Sequence, residues 1–217
     1  MKIFNVKWGS RSAGPGPLSD NTRTEIFMAG CAKAASGKPC KGCFNKELWS
    51  QDHFVAEETP EGILVQVRKF APNNCVTFVG GEPFDQLDVL MDTCKLLKEA
   101  GYHITVITHY TLKDADLNRI RPLLENIDIL IDGEYDETQR IWNDDLAGDN
   151  VHDVIGSANQ IVWDVREWND NNAMSIHGEK AGNLEALAID INEDLHYLVK
   201  IMTASETVTI ARKTIAA

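Results

Sequence analysis

The chain has 217 residues, 43% hydrophobic and 25% charged, enough for one full domain with a sizeable core or one domain plus an appendage. A formal net charge of −12 and a pI of about 4.9 argue against nucleic-acid binding, which needs clustered Lys and Arg against phosphates. No apolar run approaches the roughly 20 residues of a membrane helix, and the opening MKIFNVKWGS lacks a signal-peptide apolar region, so a cytoplasmic protein is expected.

In chain order, TEIFMAG (24–30) reads as a short apolar strand ending at Gly30. TPEGILVQVRKF (59–70) reads as a helix with Thr59 as N-cap, Pro60 at the first helical position, and Ile63, Val67 and Phe70 on one face. CVTFVGG (75–81) is a continuous apolar run closed by glycines, the pattern of a strand buried on both faces. DQLDVLMDTCKLLKEAG (85–101) places Leu87, Leu90, Cys94 and Leu97 at helical spacing and stops at Gly101. HITVITHY (103–110) is a strand, LNRIRPLLEN (117–126) a helix broken or bent by Pro122, and IDILIDG (127–133) a strand. GSANQIVWDV (156–165) looks like a last strand between the polar loops NDDLAGDN and WNDNNAMSIHGEKAGN, and the tail from about 183 to 217 has no clear period.

Strands separated by helical patterns predict βαβ units and a parallel sheet, whose ligands gather at the carboxyl ends of the strands. The loop after the first run, Gly80-Gly81-Glu82-Pro83, Thr108, and Asp132-Gly133 all follow strand ends and are expected on one rim.

Three of the five cysteines lie in GCAKAASGKPCKGCFN (30–45). In a reducing compartment such a group points to metal or catalysis before disulfides. Cys40-x2-Cys43 lets two thiolates chelate one centre, as zinc and iron–sulfur sites both require. A zinc site wants a second close pair, whereas Cys75 and Cys94 sit inside element patterns and the six His are scattered. Three thiols with an open fourth position suit a [4Fe-4S] cluster whose fourth iron takes an exchangeable ligand. In FVGGEP (78–83) the two glycines let a ligand approach the main chain, Glu82 adds a carboxylate and Pro83 stiffens the turn. The spacing fits neither G-x-G-x-x-G nor the P-loop.

Taken together, the cysteine loop after the first strand and the GGEP after the second resemble the radical S-adenosylmethionine enzymes. AGPG (13–16), TEIFMAGC (24–31), CKGCFN (40–45), VITHYTL (106–112), IDILIDGEYDE (127–137) and GSANQ (156–160) are further similar, in order, to the activating enzymes of glycyl-radical proteins. They are most like the activating proteins of anaerobic ribonucleotide reductase.

The resemblance implies that Cys31, Cys40 and Cys43 hold a [4Fe-4S] cluster and that Gly80, Gly81, Glu82 and Pro83 meet the amino group of S-adenosyl-L-methionine. It also implies a glycyl-radical enzyme as protein substrate and a flavodoxin- or ferredoxin-type electron donor, with no nucleic acid and no membrane. Thr108 and Asp132 are candidate contacts for the cofactor or, equally, turn residues; Asn159 and Gln160 either cap a strand or touch the ligand, and His109 reads as a surface or core residue.

The chain departs from the family in having Cys31-x8-Cys40, five residues longer than the usual x3. Such a lengthening is cheap in loop-closure entropy, at about 0.6 kcal/mol per doubling. His109 stands where the family favours Gly, and Ile161 where Arg is frequent.

The expected architecture is α/β: an incomplete parallel (β/α) barrel of radical-SAM type over residues 1–165, with a C-terminal extension at 166–217. The competing readings are a small-molecule radical enzyme and a non-catalytic zinc-binding interaction module.

Overall fold

The computed structural model of the protein describes residues 1–10, 22–140, 156–157, 159–165 and 174–175. The Gly-Pro-Gly segment at 13–16, most of the two polar loops, Trp142, Trp168 and nearly all of the expected extension lie outside the described residues. The strands are β1 (Lys2–Ser10), β2 (Arg23–Met28), β3 (Ala56–Glu57), β4 (Cys75–Gly80), β5 (His103–Ile107), β6 (Ile129–Asp132), β7 (Ile161–Asp164) and β8 (Met174–Ser175). The helices are α1 (Ala32–Ala35), α2 (Pro60–Phe70), α3 (Leu87–Glu99) and α4 (Leu117–Leu124).

Among the described residues these strands form one eight-stranded sheet, in the order β3-β1-β2-β4-β5-β6-β7-β8. Its centre, β2-β4-β5-β6, is parallel, with α2, α3 and α4 in the connections, as the alternating pattern predicts. The flanks are not: β1 and β3 on one side, and β7 and β8 on the other, pair antiparallel. The expected incomplete parallel barrel is thus, among the described residues, a mixed open sheet with β3 and β8 at its edges. Antiparallel pairing needs no crossover helix, so helical periodicity carries no trace of it. β1 and β3 were not expected as strands, and β8 falls in a stretch expected to be loop.

Alternation along the strands sorts side chains to two faces. The row Ile26, Phe78, Val106, Leu130 and Trp163 is in register across five strands and almost wholly buried. It belongs to the core that Ile63 and Val67 of α2, Leu90, Cys94 and Leu97 of α3, and Leu123 of α4 complete. Each such side chain contributes about 1.5–3 kcal/mol on burial. α2 begins as expected, the Thr59 hydroxyl accepting from Gly62 N. α4 runs through Pro122 and stops at Leu124.

The opposite face carries Arg23, Glu25 and Phe27 from β2 beside Thr77 and Val79 from β4. Arg23 is fully buried and is held by Thr77 Oγ1, Val76 O and His103 O at 2.8, 2.6 and 3.0 Å. Burial pulls its pKa down to about 10, so it stays charged at neutral pH. Arg23→Met would leave these acceptors without their cationic donor at a cost of about 3 kcal/mol. Urea unfolding should show a lower midpoint with an unchanged slope.

Candidate functional site

The carboxyl end of β2 is pinned on two sides. Gly30 N donates to Leu48 O (2.8 Å) and Cys31 N to Trp49 O (3.0 Å), while Gly30 O accepts from Glu82 N (2.7 Å). Gly81 N in turn donates to Met28 O at 2.8 Å. The ends of β2 and β4 are thus laced together backbone to backbone. A Cβ on Gly81 would sit 2.1 Å from Gly30 O, so this approach demands glycine.

The long Cys31–Cys40 spacing is folded rather than slack. Cys31 is the N-cap residue of α1, and the helix ends in Gly37 with φ +79°. Lys38 N reaches back to Lys33 O and Gly37 N to Ala34 O, the paired bonds of a Schellman cap. The loop expected from the extra residues is a turn of helix with its own closure. Asp85 accepts from Ala32 N at the start of α1 and from Tyr110 OH (3.1 Å), tying this turn to β5. Asp85→Ala should cost about 1 kcal/mol, read as a small drop in melting temperature with iron uptake retained.

Cys40 and Cys43 sit on a tight turn, Cys43 N donating to Cys40 O at 3.1 Å, and Trp49 Nε1 lies 3.4 Å from Cys43 Sγ. The segment after β6 clasps this turn. Lys33 pairs with Glu134 (2.6 Å), Lys41 lies 3.8 Å from Asp136, Glu137 N donates to Lys41 O (3.1 Å), and Phe44 meets Tyr135 edge-on at 5.2 Å.

Cys31, Cys40, Cys43, Gly80, Gly81 and Glu82 line one cavity of about 580 Å³, within the roughly 300–1,000 Å³ of small-molecule sites. Thr108 and His109 join them, whereas Asp132, Asn159 and Pro83 are not on the cavity wall. Asp132 instead accepts from Leu112 N, and Asn159 donates to Glu134 O at 2.7 Å, so both brace turns beside the site. Gln160 does line it: Oε1 accepts from Gly156 N, and Nε2 donates to Gly133 O.

Glu82 is buried, and its carboxylate faces its neighbours rather than open space. Oε1 accepts from Thr108 Oγ1 (2.6 Å) and Phe84 N (2.8 Å), and Oε2 from His109 N (2.9 Å), with His109 Nδ1 also against Oε2. The carboxylate thus joins the ends of β4 and β5 beside the glycine main chain of the turn.

His109, read from sequence as an ordinary strand-end residue, is therefore part of the site. Asn45, whose amide donates to Gly80 O at 3.2 Å, and Trp49 were not singled out at all. Nor were Lys7 and Glu25, which line the cavity beside Phe27. The period-2 alternation of β2 places Glu25 and Phe27 on one face and was the signal available.

The donor set fits an iron–sulfur cluster. Thiolate is the ligating form, and burial raises the pKa of Cys31 and Cys40, so cluster uptake must displace protons. Among the described residues no three His, Cys, Asp or Glu side chains converge as ligands of one metal ion. Of the other cysteines, Cys75 and Cys94 are buried, as their strand and helix patterns predict, and burial pushes the Cys94 thiol up. No helix among the described residues is long and apolar enough to cross a membrane.

Residues 13–163 match the family of 4Fe-4S single cluster domains. The chain is also 35% identical over 112 residues to the pyruvate formate-lyase-activating enzyme of Clostridium pasteurianum. That match spans 49% of this chain and 42% of the relative, less than half its length. With three thiols on one cavity, and with most of its length matched, the chain belongs to the 4Fe-4S single cluster domain family.

Proposed function

We propose that this protein is a radical S-adenosylmethionine activase that installs a glycyl radical on a partner enzyme. The observation that carries the reading is the meeting, in one cavity, of Cys31, Cys40 and Cys43 with the bare Gly80-Gly81 main chain. The three cysteines would hold a [4Fe-4S] cluster with one iron free of thiolate, and the glycine turn would receive the methionine moiety of S-adenosyl-L-methionine. Bound there, the cluster would supply the electron for reductive cleavage of S-adenosyl-L-methionine, the chemistry needed to take hydrogen from a glycine Cα of the partner.

The chain's own residues do the positioning. Glu82, Thr108 and His109 lock the ends of β4 and β5, the Gly30–Gly81 lacing holds Cys31 beside the turn, and the 134–137 segment clamps the Cys40–Cys43 hairpin. Phe27, Val79 and Ile107 give the cavity an apolar wall. A flavodoxin- or ferredoxin-type protein is the proposed electron source, and a cytoplasmic site of action goes with it.

Anaerobic ribonucleotide reductase is the first partner to test. The blocks DGEYDE and GSANQ that carry that resemblance supply the clasp, whose Tyr135 lines the cavity, and Gln160, which lines it too. The relative's own partner class makes a pyruvate formate-lyase the second.

The experiment is anaerobic reconstitution followed by incubation with reductant, S-adenosyl-L-methionine and either candidate partner. A glycyl-radical doublet in the EPR spectrum, with methionine released, is expected with one of them. Methionine release without a protein radical would favour the small-molecule reading. Stoichiometric zinc with no cofactor cleavage would overturn the enzyme reading.

A further inference from the structure

Four polar side chains around the Gly80-Gly81 turn are held by protein partners. Asn45 Nδ2 goes to Gly80 O, Trp49 Nε1 to Cys43 Sγ, Thr108 Oγ1 to Glu82 Oε1, and Gln160 Nε2 to Gly133 O. His109 commits only Nδ1, to Glu82 Oε2. Its ring is fixed from a second side by Tyr110, stacked at 4.3 Å and 28°, whose hydroxyl is held in turn by Asp85 Oδ1. Nε2 is the remaining polar atom of a ring that lines the cavity holding Cys31, Cys40 and Cys43.

This is the environment proteins give a metal-ligating imidazole: one ring nitrogen on a buried carboxylate that sets tautomer and orientation, the other left with its lone pair. Iron in iron–sulfur clusters accepts imidazole in place of thiolate. Three thiols leave one iron of a four-iron cluster without a protein ligand.

We propose that His109 Nε2 ligates that fourth iron when S-adenosyl-L-methionine is absent and is displaced when it binds. The inference rests on the reading that the three cysteines hold a [4Fe-4S] cluster. The exchange is a substitution without electron transfer: the iron–imidazole bond breaks, and bonds to the incoming amine and carboxylate form. The ammonium gives up one proton to solvent on coordination. His109 thereby keeps the open iron from being lost or oxidised between turnovers, and it presents its lone pair only because Glu82 holds the other side of the ring.

The test is pulsed EPR on the reduced, reconstituted full chain grown with 15N-histidine. A 15N hyperfine coupling is expected without cofactor, lost on adding S-adenosyl-L-methionine and absent in His109→Ala. A second readout is iron retention after brief exposure to oxidant. His109→Ala should pass to a three-iron form faster than wild type, and His109→Cys, which supplies a fourth thiolate, should restore retention. A four-iron protein without nitrogen coupling overturns this proposal alone, as does a coupling that survives in His109→Ala. Iron and sulfide assays that find no four-iron cluster overturn the underlying cluster reading and this proposal with it.

Discussion

Cys31→Ala is expected to give a folded protein that takes up no stable four-iron cluster and does not cleave S-adenosyl-L-methionine. The backbone at this position is held independently of the thiol, by Cys31 N on Trp49 O and by Ala35 N on Cys31 O at the start of α1. Truncating the side chain should therefore cost only about 1 kcal/mol. The sulfur, in contrast, comes from a separate element, the end of β2, whereas Cys40 and Cys43 share one turn. Without it the site keeps a two-thiol chelate that cannot span a cubane. Iron and sulfide per chain, set beside far-ultraviolet circular dichroism, separate lost ligation from lost folding. Cys94→Ala is the control: Cys94 lies in the core on α3, so its loss should lower stability and leave iron at about four per chain. Full iron uptake by Cys31→Ala would show that the three thiols do not form one site.

Gly81→Ala should be the most damaging single change at the Gly80-Gly81 turn. The added Cβ would lie 2.1 Å from Gly30 O, 2.7 Å from Gly30 C and 2.9 Å from Leu48 O, all main-chain atoms that no side-chain rotation can move aside. Relief requires the ends of β2 and β4 to separate, breaking the Glu82 N to Gly30 O bond and shifting Cys31 relative to the turn. Overpacking of this kind costs about 3 kcal/mol or more, which for a chain of this size lowers Tm by roughly 6–12 °C. Iron uptake should fall as well, because Gly30 immediately precedes Cys31. Gly101→Ala is the comparison. It has a positive φ of +84° but nothing within 4 Å of the new Cβ, so only the backbone penalty of about 1 kcal/mol applies. If Gly81→Ala melts with wild-type Tm and binds its full complement of iron, the close approach is not what holds the site together.

The site was legible to different depths at different residues. Cys31, Cys40, Cys43, Gly80, Gly81 and Glu82 carry chemistry that stands out by residue type and spacing, and they meet on one cavity. The role of Glu82 was not legible. A carboxylate at a strand end reads as a ligand group, yet its partners are Thr108 and His109, brought alongside only by the parallel pairing of β4 and β5. Asp132 followed the same strand-end logic, Asn159 came from the GSANQ block, and the side chains of both turned to main-chain groups of adjacent turns. His109 was undervalued because a single histidine carries no periodicity. Its meaning comes from the carboxylate beside it, 27 positions earlier in the chain.

The amino-acid sequence by itself determined the central βαβ alternation, the helix starts and buried stripes, and the three-thiol set with its glycine turn. These depend on local propensity and short spacing, which are written within a few residues. Only the tertiary structure decided that β1, β3, β7 and β8 flank the sheet antiparallel, that the long cysteine spacing closes as a capped helical turn, and that the Glu82 carboxylate joins the ends of β4 and β5. Those outcomes depend on contacts between residues far apart in the chain, where pairing geometry and backbone hydrogen bonding leave no periodic signature.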